Sequence, residues 1–449
     1  MLRPTPSVDT TTLPKLALLA AALLLGACSG TGSESDGGGG DAGLTDAGTD
    51  AGLPIAAHDD PRQGAPVALL TQLQTDLSSM HDSPSQEARI DQFMIDVGTY
   101  GGTPLRDGDD VTFLYRGTGT AAVAGDWNGW SATAEPMLSV LGTTLSVATQ
   151  HFGDEERHAY KLVANGTFIE DDLDPWLTWD GIDPGSGLGA FNAMVTLPGH
   201  ALFEGNTRRE HFASTVESNT RDVFAYLPPQ YFQSSDALPV IYNQDGREAL
   251  TKGQFDQKLQ GSIDGQTCNP AILVTVALDD QNNRGDEYVW DFDPTYSPQV
   301  APNPRGDTYV KLISDELVPF IDSHYRTLAD ASHRVVAGQS LGGLISGYIA
   351  FQRPEVWGHA ASQSGSFFWS NNELITDVQN ASAKPITWYL DSGTGDGTSD
   401  DNFAVTQQLW QALDSKDYVE AHVTEQGGTH DWPHWSGRFH NIPETFFPH

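Results

Sequence analysis

The residues best placed to do chemistry lie in Gly338-Gln-Ser340-Leu-Gly342, where a serine sits between two glycines. The apolar run Val335 to Ala337 precedes this segment, and Leu341-Gly-Gly-Leu-Ile-Ser-Gly-Tyr-Ile-Ala350, compatible with a helix, follows it. Strand, tight turn and helix in that order put a serine hydroxyl on a strained bend, exposed above a sheet. A Cβ at position 338 or 342 would crowd the turn. The helix that follows directs its first N–H groups and its positive dipole end at any oxyanion forming there, and the backbone N–H of Leu341 is the first expected donor. The chemistry this favours is attack of Ser340 on an acyl carbon.

A serine needs a base, and the base needs a group that orients it. His430 stands in Glu425-Gln-Gly-Gly-Thr-His430-Asp-Trp432, a glycine-rich loop able to carry an imidazole over a sheet edge. His422 falls inside an expected strand, and His434, His440 and His449 have no comparable approach. The acid is expected just after the strand 385–390. Asp396, in Ser392-Gly-Thr-Gly-Asp396, can turn back toward His430, and Asp391 is the nearer alternative. Asp400 and Asp401 read as a solvated acidic turn. A second oxyanion donor is expected after the run Leu238 to Tyr242, from Gly246 or Arg247. Arg284 and Trp432 are candidates for substrate contact. The histidines and acids show no metal-ligand spacing such as His-Glu-x-x-His, and no cofactor is implied.

The elements that must position these groups follow from periodicity. From 206 to 449, apolar strand runs without alternation interleave with helical patterns, as in a mostly parallel sheet covered by helices on both faces. This is the pattern of one α/β-hydrolase domain. Upstream, Leu69, Leu70, Leu73 and Leu77, then Ile90, Phe93, Met94 and Val97, predict two amphipathic helices within 63–105, broken near Asp82-Ser-Pro84. Residues 106–205 change to short strands with turn signals such as Asn165-Gly166, as in a β-sandwich.

The chain has 449 residues and a formal net charge of −37, from 60 acidic side chains against 23 Lys and Arg. Such a balance disfavours nucleic acid or an anionic membrane surface as partner. Arg3 and Lys15 lead into an apolar stretch, Leu16 to Ala27, too short to span a membrane. It ends in Leu25-Gly-Ala-Cys28, which resembles a bacterial lipobox. That resemblance implies a signal peptide over 1–27, lipid on Cys28, and, with Ser29 following, export to the outer membrane. Residues 28–62, rich in Gly, Asp and Ala, are expected to be a disordered tether with a reach of about 100 Å. The lipid would be the only membrane contact. Cys268 is then left without an intramolecular partner and reads as a buried thiol.

Several stretches resemble known families. Val123-Ala-Gly-Asp-Trp-Asn-Gly-Trp130 and Tyr160-Lys-Leu-Val-Ala-Asn-Gly166 are similar to early-set, immunoglobulin-like modules. In such a module Trp127, Trp130, Trp176 and Trp179 would either stack on sugars or fill the core. Tyr226-Leu-Pro-Pro229, Gln244-Asp-Gly246, Arg284-Gly-Asp-Glu287-Tyr288, Gly338-Gln-Ser-Leu-Gly-Gly343, Gly393-Thr-Gly-Asp396 and Gly427-Gly-Thr-His-Asp431 resemble the esterase family that includes enterochelin esterases, feruloyl esterases and mycolyltransferases. The resemblance implies a serine carboxylic ester hydrolase with the triad Ser340, Asp396 and His430, acting on a small-molecule or polysaccharide-linked ester. A catalytically inactive carbohydrate-binding surface lipoprotein and an acyltransferase of the same fold are the other readings. The oligomeric state is not legible.

Overall fold

In the computed structural model the described residues are 58–182, 189–278, 284–397 and 400–449. The signal peptide, the lipobox with Cys28 and most of the tether lie outside them. The two expected helices span Ala68–Ser79 and Ser83–Thr99, with the Asp82 side chain capping the second by accepting from Ser85 N at 2.9 Å. Their apolar faces, Leu69, Leu73 and Leu77 with Ile90, Phe93 and Val97, pack on Leu105, Leu114 and Leu145.

Those last residues belong to β1 (Leu105–Asp107), β2 (Asp110–Arg116) and β6 (Leu145–His151); between β2 and β6 the chain forms β3 (Ala121–Gly125), β4 (Glu135–Pro136) and β5 (Leu138–Ser139). The order β1-β2-β6-β5 forms a four-stranded sheet. Its second face, through Val111 and Phe113, meets β3, β7 (Arg157–Ala164) and β10 (Gly189–Thr196) through Val123, Tyr160, Leu162, Ala193 and Val195. Alternation along β2 explains both contacts, because successive side chains point to opposite faces. Trp176 is buried, Trp127 packs between Phe113 and Phe152, and none of the four tryptophans named above is among the exposed large apolar side chains of the described residues.

Strands β3, β4, β7 and β10 belong to a second, larger sheet, with β8 (Thr167–Ile169), β9 (Trp176–Ile182), β11 (Asn206–Ser214) and β12 (Asn219–Leu227). It continues through β13 (Val240–Asn243), β14 (Ile272–Val276), β15 (Arg334–Gln339), β16 (His359–Gln363), β17 (Thr387–Gly393) and β18 (Glu420–Glu425). The expected boundary near residue 205 is crossed by hydrogen bonding: β9 pairs with β11, Thr207 opposite Leu177 and Arg208 opposite Trp176. The sandwich and the α/β part share one sheet. Strand order there is β11-β12-β14-β13-β15-β16-β17-β18, and the ladders from β14 to β18 are parallel. Val240, Tyr242 and Val336 face one core, and Ile241, Val335 and Ala337 the other. Both faces are buried, so the strands read as continuous apolar runs. After β13 the chain steps to β14 on one side and returns as β15 on the other. This reversal opens a crevice beyond the carboxyl ends of β13 and β15, the favoured ligand position in such sheets.

Residues 58 and 59, placed by composition in the expected tether, bond to the α/β part. Asp59 accepts from Tyr231 Oη at 2.7 Å and Arg326 Nη1 at 2.9 Å, and His58 Nε2 lies 2.8 Å from Glu210 Oε1. Compensating charge on the α/β part docks these residues where composition alone predicts disorder.

The helix Arg284–Tyr288 is fastened beneath the crevice by a fully buried pair, Arg221 with Glu287, joined by two bonds of 3.0 Å. Removing one partner leaves a buried charge without its closest counter-ion. Arg221→Met is expected to lower unfolding stability by about 3 kcal/mol in urea titrations, and Arg221→Met with Glu287→Leu to recover most of that loss. A single-variant loss below about 1 kcal/mol would show that the pair does not anchor this segment.

Candidate functional site

Ser340 occupies the turn between β15 and the helix Leu341–Gln352 with φ 61° and ψ −123°, a positive φ that L side chains rarely adopt. The turn closes only because its glycines lack side chains: a Cβ on Gly338 would lie 2.3 Å from the carbonyl oxygen of Gly342. Ser340 N donates to Gln363 O at 3.0 Å, and Ser340 O accepts from Ser366 N at 3.0 Å, which fixes the bend against β16.

His430 meets this hydroxyl, with Nε2 at 2.8 Å from Ser340 Oγ. Its ring stands edge-on to Trp435 at 4.9 Å, and Trp435 is held in turn by Ser364 Oγ. The loop bearing His430 lies against the end of β17. A Cβ on Gly393 would fall 2.1 Å from Gly428 O, and Thr394 N and Gly395 N donate to Glu425 O and Gly428 O, each at 2.9 Å. The rival histidines are engaged elsewhere: His422 stacks on Trp410, and His434 Nδ1 bonds Glu425 at 2.8 Å.

The aspartate that meets the imidazole differs from the one expected. Asp401, and not Asp396, takes the bond from His430 Nδ1, at 2.9 Å. β17 runs to Gly393, past the predicted strand end at 390, so Asp391 lies inside the strand and Asp396 on an exposed part of the loop. The chain then returns, and Asp401 is fully buried, not a solvated turn. Its Oδ2 accepts from Gly393 N at 2.5 Å and from Arg438 Nη2 at 3.1 Å. Burial alone would raise this carboxyl, but the bonds from His430, Gly393 and Ser364 and the charge of Arg438 hold it below the usual range. Asp391 has the reverse balance: burial pushes it up to about 6 although Arg438, Gln363 and Tyr389 all favour its charge.

Sequence reasoning missed Arg438. Its guanidinium bonds Asp391 Oδ1 at 3.0 Å, Asp401 Oδ2, Ser364 Oγ at 2.9 Å and Glu425. From Asp391 the bonding continues under the site through Gln363 to Gln339 and Asn243, at 2.9, 3.1 and 3.1 Å, across four neighbouring strands. An arginine in the last turn of a short helix (Trp432–Arg438) carries no sequence mark of this role.

The cleft above Ser340 has a volume of about 480 Å³. Tyr296, Val300, Phe368 and Trp369 line one part of it, and Ser366, Asp400 and Asn402 another, with Leu341 beside Ser340 and His430. Gly246 and Arg247 are not among its described lining residues. Arg247 turns away to Glu170, at 3.3 Å, and lies over the Phe191 ring. Arg284 is held in two bonds to Asp245, at 2.6 and 2.7 Å, and that carboxylate, against the opposing effect of burial, keeps it more firmly protonated than usual. Trp432 packs against Phe255 and Trp435 in the core. Cys268 is buried, and burial lifts its thiol to about 11. Among the described residues no group of His, Cys, Asp and Glu is arranged to hold a metal ion.

Comparison with known proteins follows the same outline. The model of a family described as "Putative esterase" matches residues 214–446. The uncharacterized Bacillus subtilis protein YbbA is 24% identical over 243 residues, covering 52% of this chain and 95% of that protein. An iron(III) enterobactin esterase of Dickeya dadantii is 29% identical over 142 residues, 28% of this chain and 32% of the relative. A crystal structure of the Shigella flexneri enterobactin esterase, with enterobactin present, superposes with a TM-score of 0.46 at 20% identity, covering 77% of this chain and 95% of that one.

The two buried acids have opposite consequences for stability. The fold favours the ionised form of Asp401, so its contribution is complete above the ordinary carboxylate pKa of about 3.9 and is lost as the pH falls through its lower folded value. Asp391 favours the fold when protonated, and that contribution is lost as the pH rises through about 6. Urea titrations between about pH 2 and about pH 4 are therefore expected to show a shallower acid loss in Asp401→Asn than in the parent. Equal slopes would contradict a depressed Asp401.

Proposed function

The chain belongs to the esterase family, whose class is carboxylic ester hydrolase, and from that premise we propose that it cleaves its ester through an acyl-enzyme on Ser340, with His430 as base and Asp401 as orienting acid. The observation that carries this reading is the line from Ser340 Oγ to His430 Nε2, at 2.8 Å, and from His430 Nδ1 to Asp401 Oδ1, at 2.9 Å. With the proton on Nδ1 donated to Asp401, Nε2 is the acceptor that draws the proton from Ser340 as Oγ bonds to the ester carbonyl carbon. The N–H of Leu341, first in its helix, stabilises the oxyanion. The intermediate collapses as His430 returns the proton to the leaving alcohol. A water, deprotonated by the same ring, then releases the acid and restores Ser340. Asp401, depressed and fully buried, stays ionised throughout and offsets the imidazolium charge.

The strand order β11-β12-β14-β13-β15-β16-β17-β18, with the serine after β15, supports an α/β-hydrolase fold. The face-to-face packing of the two N-terminal sheets supports an immunoglobulin-like module in front of it. We also read the leader as a lipoprotein signal, with Cys28 tethering the enzyme to the outer membrane.

Ser340→Ala is expected to lower p-nitrophenyl ester hydrolysis by about a million-fold, Asp401→Asn by about ten-thousand-fold, and Asp396→Asn by less than about twofold. A fluorophosphonate should label the parent and not Ser340→Ala. Parent-level turnover by Ser340→Ala would overturn the mechanism, and a larger loss at Asp396 than at Asp401 would overturn the choice of acid.

A further inference from the structure

Resting on the esterase reading above, we propose that the cleft takes uncharged esters bearing an apolar group and rejects polyanionic ones, including metal catecholates. Its apolar wall is built rather than incidental. The Tyr296 ring packs on Phe368 and Trp369, with centroids 5.0 and 5.9 Å apart. The indole N–H of Trp369 donates to Asp291 O at 3.0 Å, so this ring turns no unmet polar group into the cleft. The segment carrying Tyr296 is fixed on its N-terminal side. Trp290 stacks flat on Tyr348 at 3.7 Å and bonds Glu373, while Asp293 accepts from Thr295 N at 2.7 Å and from Ser370 N at 3.0 Å. On this fixed segment the cleft-lining Tyr296 and Val300 stay 41% and 36% exposed. Apolar surface held open beside a nucleophile marks a place for an apolar group to bury.

Charge points the same way. Among the described residues no lysine or arginine lines the cleft, and residues 279–283 and 398–399 contain none. The guanidinium groups of the surrounding elements are each matched to a carboxylate: Arg284 to Asp245, Arg247 to Glu170, Arg305 to Glu217, and Arg438 to Asp391, Asp401 and Glu425. The charged side chain that does line the cleft beside His430 is Asp400. An anionic ester would be desolvated there with no counter-ion, in a chain of net charge −37.

The test compares p-nitrophenyl acetate, butyrate and octanoate, ethyl and octyl acetate, and the near-isosteric pair p-nitrophenyl valerate and p-nitrophenyl hemiglutarate. Each methylene placed on the wall is worth roughly fourfold in kcat/KM. A rise of at least about tenfold is expected along the acyl or the alcohol series, with hemiglutarate at least about tenfold slower than valerate. Tyr296→Ala and Phe368→Ala should each reduce the long-to-short preference by about tenfold. Binding of valerate and hemiglutarate esters to Ser340→Ala, followed by calorimetry, reads the cleft without turnover. Acetate hydrolysis with both series flat, or with hemiglutarate equal to valerate, would overturn this inference and leave the esterase reading in place. No turnover of any ester, with Ser340→Ala still binding the neutral ester in preference, would overturn the esterase reading and uphold the apolar cleft.

Discussion

The structure depends on one buried guanidinium. Arg438 stands between Asp391 inside β17 and Asp401 beneath His430, and it reaches Glu425 at the root of the histidine loop. Three carboxylates brought together without it would repel one another in a medium that solvates charge poorly. With it, two loops far apart in sequence are bound to the sheet, and His430 is oriented by an acid that cannot relax toward water. The amide chain through Gln363, Gln339 and Asn243 extends this brace across the strand ends, so the floor of the site is a connected polar network inside an apolar core.

Topology explains why the network lies where it does. The reversal of strand direction of travel at β13 and β15 opens a crevice at their carboxyl ends, and Ser340 is delivered there by a turn that closes because Gly338 has no Cβ. Missing side chains matter as much as present ones. Gly393 lets the histidine loop pass so close to β17 that backbone N–H groups of the acid loop bond the histidine loop directly. The wall of the cleft comes from two other segments, 290–300 and 366–369, both locked by aromatic stacking and carboxylate caps. The Ser340–His430–Asp401 line and the apolar wall of the cleft are therefore carried by separate parts of the chain.

Much of this was legible beforehand. The strand–serine–helix arrangement, the glycine-rich approach to His430, the two N-terminal helices and the buried strands of the α/β part are local patterns, written by residue type and spacing within a short window. The change of periodicity also marked the N-terminal strands, but not that their sheet continues into the α/β part through the β9–β11 ladder.

What the sequence by itself determined was the serine on the strand-to-helix turn, the histidine loop that reaches it and the class of sheet, because each follows from steric and periodic rules acting over a few residues. Which aspartate bonds the histidine was decided only by tertiary structure. Asp391, Asp396, Asp400 and Asp401 lie within one short stretch, and nothing local separates them. Their fates differ because β17 extends to Gly393, the loop folds back, and Arg438 supplies a buried counter-charge at one place. The same holds for Arg247, Arg284 and Trp432, whose types suggest substrate contact but whose partners lie elsewhere in the fold. A charged or aromatic side chain takes its role from what packs against it, and that is settled by contacts between residues distant along the chain.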